Sequence, residues 1–196
     1  MVSIASIIIG FMALLGAELR YLWKNARLPL KGHRFLQTFG YALIALGFAI
    51  PLIGPTSAQG LPEVVRAMLL ILALLGGTLL AWTTFLEIPT GLAKFRIAPG
   101  HVYTLGSYSR CRHPGFWWFL LFSASLTAWE GGKLGFARFF MANALNLLLI
   151  LLQDKYTFPL QFVNYREYTA AVPFLIPRLP RVRKHERRKK ANRARR

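Results

Sequence analysis

The chain has 196 residues, 55% of them hydrophobic and only 16% charged, where an ordinary soluble domain carries about 25% charged residues; this excludes intrinsic disorder and argues against a water-soluble enzyme. Lys and Arg number 25 against 7 Asp and Glu, a formal charge of +18, which suggests nucleic acid or an anionic membrane surface as a partner. Position decides between them: residues 178–196 hold eleven basic residues and one acidic, Glu186, so the chain is an apolar body with a basic tail.

A helix needs about 20 mainly apolar residues to cross a bilayer, and five stretches approach that length. The first covers Val2–Trp23, with Glu18 and Arg20 near its far end. It starts without a basic segment and ends in Glu-Leu-Arg rather than at small residues, so it reads as an anchor and not a removable signal peptide. The others fall at roughly residues 35–54, 66–87, 114–129 and 134–153. The Glu130-Gly131-Gly132-Lys133 turn makes the last two a tight helical hairpin. Between the second and third, residues 54–62 read as a plain loop. The predicted fold is therefore all-α, a polytopic membrane protein with about five transmembrane helices and a C-terminal amphipathic segment.

Lys and Arg mark cytoplasmic loops. They fall between helices one and two (Lys24, Arg27, Lys31, Arg34), between three and four (Lys94, Arg96, Arg110, Arg112) and in the tail, with only Arg66, Lys133 and Arg138 opposite. This predicts an N-terminus outside and a C-terminus in the cytoplasm. Trp23, Trp82, Trp117, Trp118 and Trp129 sit mostly near span ends, as interface anchors do. The tail reads as a disordered segment held near anionic lipid headgroups, with no specific nucleic-acid partner expected. One cysteine, Cys111, and four scattered histidines give no disulfide and no metal site.

Two polar interruptions carry whatever chemistry there is. Residues 101–114, His-Val-Tyr-Thr-Leu-Gly-Ser-Tyr-Ser-Arg-Cys-Arg-His-Pro, run straight into a helix. Pro114 suits a first helical turn, which puts Arg112 and His113 at a helix mouth, where free N–H groups and a guanidinium suit an anion. The plainer alternative makes Arg110 and Arg112 topology determinants and His113 a cap. The second interruption starts at Gln153-Asp154-Lys155 and continues to Pro177; Tyr165 and Tyr168 are i, i+3 neighbours on what reads as an interfacial helix.

Gly106-Ser107-Tyr108, Arg112-His113-Pro114-Gly115-Phe116, then a hairpin, then Tyr165, Tyr168, Val172-Pro173 and Pro177 occur in this order. In this the chain resembles the isoprenylcysteine carboxyl methyltransferases and phospholipid methyltransferases of membranes. The likeness covers 80–177, leaving helices without signature over 1–79 and the basic tail over 178–196. Phe116, Trp118 and Gln153-Asp154 stand where the family pattern has Tyr, Gly and a Glu pair. Those departures bear on the width of a cofactor pocket and on a carboxylate contact more than on the fold.

The resemblance implies methyl transfer from S-adenosylmethionine at the cytoplasmic face to a lipophilic acceptor from the bilayer: a prenyl-cysteine-type carboxylate, a phospholipid amine or a thiol. Gly106, Tyr108, His113 and Pro114 would hold the amino-acid part of the cofactor, and Tyr165 and Tyr168 would close the pocket or bind its adenosine end. Arg112 would pair with an anionic group, with Asp154 beside the reaction. Such transfer needs alignment more than acid or base catalysis. Two rivals remain: an NADPH-binding, steroid-reductase-like enzyme, which shares Arg-His-Pro, and a degenerate family member kept as a membrane interaction protein.

Overall fold

The computed structural model describes residues 1–23, 32–53 and 60–177, and every regular element among them is helical. Lys24, Arg27, Lys31, most of the 54–62 loop and the basic tail lie outside the described residues. Helices α1 (Val2–Trp23) and α2 (His33–Ile53) are followed by α3 (Glu63–Ala81), which passes through a π-helical turn (Trp82–Glu87) into α4 (Ile88–Phe95) without a break. A 3-10 turn (Gly106–Ser109) precedes α5 (Pro114–Glu130). Then come α6 (Gly132–Leu152), a second π-helical turn (Gln153–Thr157), α7 (Phe158–Gln161) and α8 (Tyr165–Ala171).

Four helical runs are long and apolar enough to cross a membrane: Val2–Trp23, His33–Ile53, Glu63–Phe95 and Gly132–Gln161. The fifth expected span, α5, has 17 residues, about 26 Å at 1.5 Å per residue, short of a hydrocarbon core of about 30 Å. The third runs past its expected end at Glu87, because its turns continue through the π-helical stretch and stop only where Arg96 turns left-handed at φ 52°. Lipid as solvent explains the outward faces: Ile9, Met12, Leu46, Ile71, Leu74 and Phe140 are exposed, an arrangement that water would oppose.

Where helix meets helix, small residues and hydroxyls take over, because packing and hydrogen bonds hold apolar helices together in lipid. A Cβ on Gly10 would stand 2.7 Å from the Gly40 carbonyl oxygen, so the α1 and α2 backbones touch. Ser3 and Ser6 extend this seam by donating to Gly47 and Leu43 carbonyls at 2.8 and 2.7 Å. Likewise Gly76 of α3 abuts the Phe122 backbone of α5. Ile7, Phe11, Ile44, Phe48, Phe119 and Leu149 fill the space between.

The two ends of the bundle differ. At one end Arg138 of α6, 3% exposed, pairs with Glu130 of α5, donates to Ser3 Oγ at 3.1 Å and lies over the Phe48 ring. At the other end Gln153 meets Glu18, and both polar interruptions come together. Successive connections of the chain alternate between ends, so the third (residues 101–114) and the stretch after α6 (residues 153–177) fall at the same one.

Candidate functional site

Asp154 organises this end. The regular α-helix of α6 ends at Leu152; the π-helical turn that follows widens the helix there, a distortion frequent at functional sites. From it, Asp154 Oδ2 meets Arg112 Nη1 at 3.0 Å, while Oδ1 accepts from Tyr165 OH at 2.6 Å and from His113 Nε2 at 3.2 Å. A carboxylate only accepts, so the neutral His113 ring carries its hydrogen on Nε2. Burial pushes the His113 pKa down, and the pull of Asp154 in the opposite direction does not overcome it. Burial first, then Asp154, pushes Tyr165 up, so its hydroxyl stays a donor.

His113 is the residue preceding α5, but it makes no side-chain capping bond; the plain capping role is not the one it plays. Its ring stacks on Phe158 at 6.0 Å and meets Phe174 edge-on at 5.1 Å. The Arg112 guanidinium lies over the same Phe174, and its backbone N–H donates to Pro173 at 3.0 Å. Its Nε is buried without a partner among the described residues. The Val172-Pro173 segment therefore straps the helix mouth, helped by Trp117 Nε1 donating to Leu175 at 2.8 Å.

The tyrosines link the two interruptions. Tyr168 donates to the Tyr108 carbonyl at 2.7 Å and Tyr108 donates to the Thr83 carbonyl at 2.9 Å. Burial raises both phenols, so both keep their protons. The face of α8 bearing Tyr165 and Tyr168 is buried against Val102, Phe158 and Phe162, while Arg166 and Glu167 are exposed. Asn164 adds a clamp, accepting from the Val102 N–H at 2.8 Å.

The first π-helical turn plays a matching part. Its last residue, Glu87, accepts from the Ser107 N–H at 2.7 Å and from Ser107 Oγ at 2.5 Å. Gly106 sits at φ 57°, and a Cβ there would run into the Glu87 carboxylate. Gly106 is thus required both by conformation and by space.

Part of this network borders a cavity of about 750 Å³ that extends from His101, Arg112, His113 and Tyr168 inward to Phe11, Tyr41 and Phe119, with Gly106 and Glu87 outside its lining. Such a volume lies within the usual range for small-molecule sites. Tyr108, His113, Pro114, Tyr165 and Tyr168 line it, whereas Asp154 stands behind Arg112 and His113. Trp118 is not among its lining residues; a Cβ on Gly76 of α3 would stand 3.1 Å from its backbone carbonyl oxygen.

Sequence reasoning missed Glu18, Glu87 and Asn164. Glu18 lies on α1, 2% exposed, and accepts from Gln153 Nε2 at 2.9 Å. A carboxylate within an apolar span was the signal for it. Among the described residues no group of His, Cys, Asp and Glu could hold a metal ion. Compared with family models, curated proteins and solved structures, the chain matches none.

Proposed function

We propose that the protein is an integral membrane methyltransferase that uses S-adenosylmethionine and a lipophilic acceptor. The observation carrying this reading is the Arg112, His113, Asp154 and Tyr165 cluster, which joins the two polar segments at the mouth of a largely apolar cavity. A water-soluble cofactor and a lipid-soluble acceptor both have a route to such a space.

The residues fit the cofactor. Arg112 Nε and His101 Nδ1 are buried polar atoms without partners among the described residues, both from residues lining the cavity, and Phe158, Phe162 and Tyr165 offer a stacked aromatic wall. Arg112 would hold the carboxylate of the amino-acid part, the aromatic wall would hold the adenine, and Gly106, Tyr108, His113, Pro114 and Tyr168 would shape the space between. When bound, S-adenosylmethionine supplies a methyl group made electrophilic by a sulfonium. Asp154 fixes the Arg112 and His113 orientations, and the strap around Pro173 excludes water from behind them. Because the hydroxyls of Tyr108, Tyr165 and Tyr168 are spent on protein oxygens, they position the walls rather than move protons.

The Lys and Arg distribution supports a cytoplasmic mouth, and a reporter fused after Arg196 tests that. For the cofactor, titration calorimetry in detergent gives the decision. Saturable binding of S-adenosylmethionine or S-adenosylhomocysteine, lost in His113→Ala with the melting temperature preserved, supports the reading. Binding of NADPH instead, or of neither, refutes it.

A further inference from the structure

Glu18 is the group in the cavity that the cofactor fit does not use. Its side chain lines the space together with Tyr21, Gln37 and Tyr41, one turn below the start of α2. Oε1 is taken by Gln153, but Oε2 is buried with no hydrogen-bond partner among the described residues. A buried carboxylate oxygen without a partner is costly, and a charged residue inside a membrane helix that faces a cavity marks a substrate or ion path. Gln153 cannot relieve the cost, since its amide group already donates to the same carboxylate.

We infer that Glu18 is the docking point for the ammonium head of a lipophilic amine held in the cavity, its alkyl chain lying along the apolar wall. The chemistry favours an amine over the other acceptor classes. A carboxylate head would meet Glu18 as a like charge. Of the arginines lining the cavity, Arg112 is already assigned to Asp154 and to the cofactor's carboxylate, and Arg34 is an exposed residue at the start of α2. A thiol or alcohol could donate one hydrogen bond but would leave the carboxylate charge uncompensated. The apolar wall built by Phe11, Leu14, Ile44, Phe48 and Phe119 suits a hydrocarbon chain.

Taking this amine as the methyl acceptor rests on the methyl-transfer reading; its binding does not. As acceptor, the nitrogen releases one proton to water and forms an N–C bond with its lone pair while the C–S bond breaks and that pair stays on sulfur. The nitrogen then carries the same charge as before, so Glu18 faces a cation at both stages.

The test uses the full chain in phosphatidylcholine nanodiscs, with tritiated hexadecylamine as the probe in a scintillation proximity assay and empty nanodiscs as the blank. Unlabelled hexadecylamine is expected to compete much better than hexadecanol or palmitic acid. Glu18→Gln, which keeps the shape, should weaken amine binding about tenfold or more, the loss of one charged hydrogen bond, while binding S-adenosylmethionine as the parent does. Equal competition by palmitic acid, or unchanged amine affinity in Glu18→Gln, overturns the inference. Should Glu18→Gln fail to fold, the competition order in the parent protein still decides. Saturable amine binding in a protein that binds no S-adenosylmethionine supports the Glu18 subsite and refutes the methyl-transfer reading alone.

Discussion

Replacing Asp154 by Asn tests whether one carboxylate holds the mouth together. Asn keeps an oxygen that can accept from Tyr165, so the change removes mainly the charge that faces Arg112 at 3.0 Å. Stranding one member of a buried pair costs about 3–5 kcal/mol. The two side chains retain 13% and 15% exposure, and solvent screening lowers the expected cost to about 2–3 kcal/mol. The assay is reversible unfolding in mixed micelles for Asp154→Asn, Arg112→Met and the double variant. If the pair acts as described, the double variant is less destabilised than the summed singles by about 1 kcal/mol or more, since residues in one network couple. Additivity to within about 0.5 kcal/mol would mean that Arg112 and Asp154 do not depend on each other, and the organising role assigned to Asp154 would be wrong.

His113 makes stability depend on pH. Its folded pKa lies below the ordinary 6.5 because it is buried, so on acidification the unfolded chain takes up a proton before the folded one does, and stability falls as pH drops through about 6.5, levelling off below the folded value. The melting temperature lost between about pH 7.5 and 5.5 should be smaller in His113→Asn, and an equal or larger loss contradicts this. Gly106→Ala should destabilise by about 1–3 kcal/mol. Gly106→Asn should be no better, although Asn tolerates positive φ, because the Glu87 carboxylate occupies the space a Cβ needs; rescue by Asn would leave conformation as the whole reason. At the opposite end, Arg138→Met alone should cost about 3–5 kcal/mol, and Glu130→Leu added to it should restore much of the loss in a thermal melt; no restoration would show that Arg138 acts through Ser3 and Phe48 instead.

The helical class was legible because long apolar stretches admit few alternatives in lipid, and α1, α2 and α6 begin and end close to where charge and glycine place them. Pro114 fixed the start of α5 for the same local reason. What could not be read was which polar residues meet. Asp154 reaches Arg112 and His113 across 41 positions from His113, and it does so from a π-helical turn, whose register no hydrophobic period reports. Glu87 depends on the other such turn and was hidden as the end of a span. Tyr165 and Tyr168 were correctly seen as sharing a face, but the direction of that face follows from Phe158 and Phe162, which a periodicity that separates apolar from polar cannot rank. Glu18 was visible as a lone carboxylate and was passed over as a boundary mark; depth inside the bundle is a tertiary property.

The contact of Gly10 with Gly40 has a mechanical meaning as well. Two backbones in touch, pinned by Ser3 and Ser6, have no side-chain cushion to shear, so α1 and α2 move as one plank. Such a seam leaves no gap between α1 and α2 where Gly10 meets Gly40. Between α2 and the first π-helical turn the contact is softer: the rings of Tyr41 and Phe85 meet edge to face at 5.3 Å, and aromatic rings can swing where locked backbones cannot.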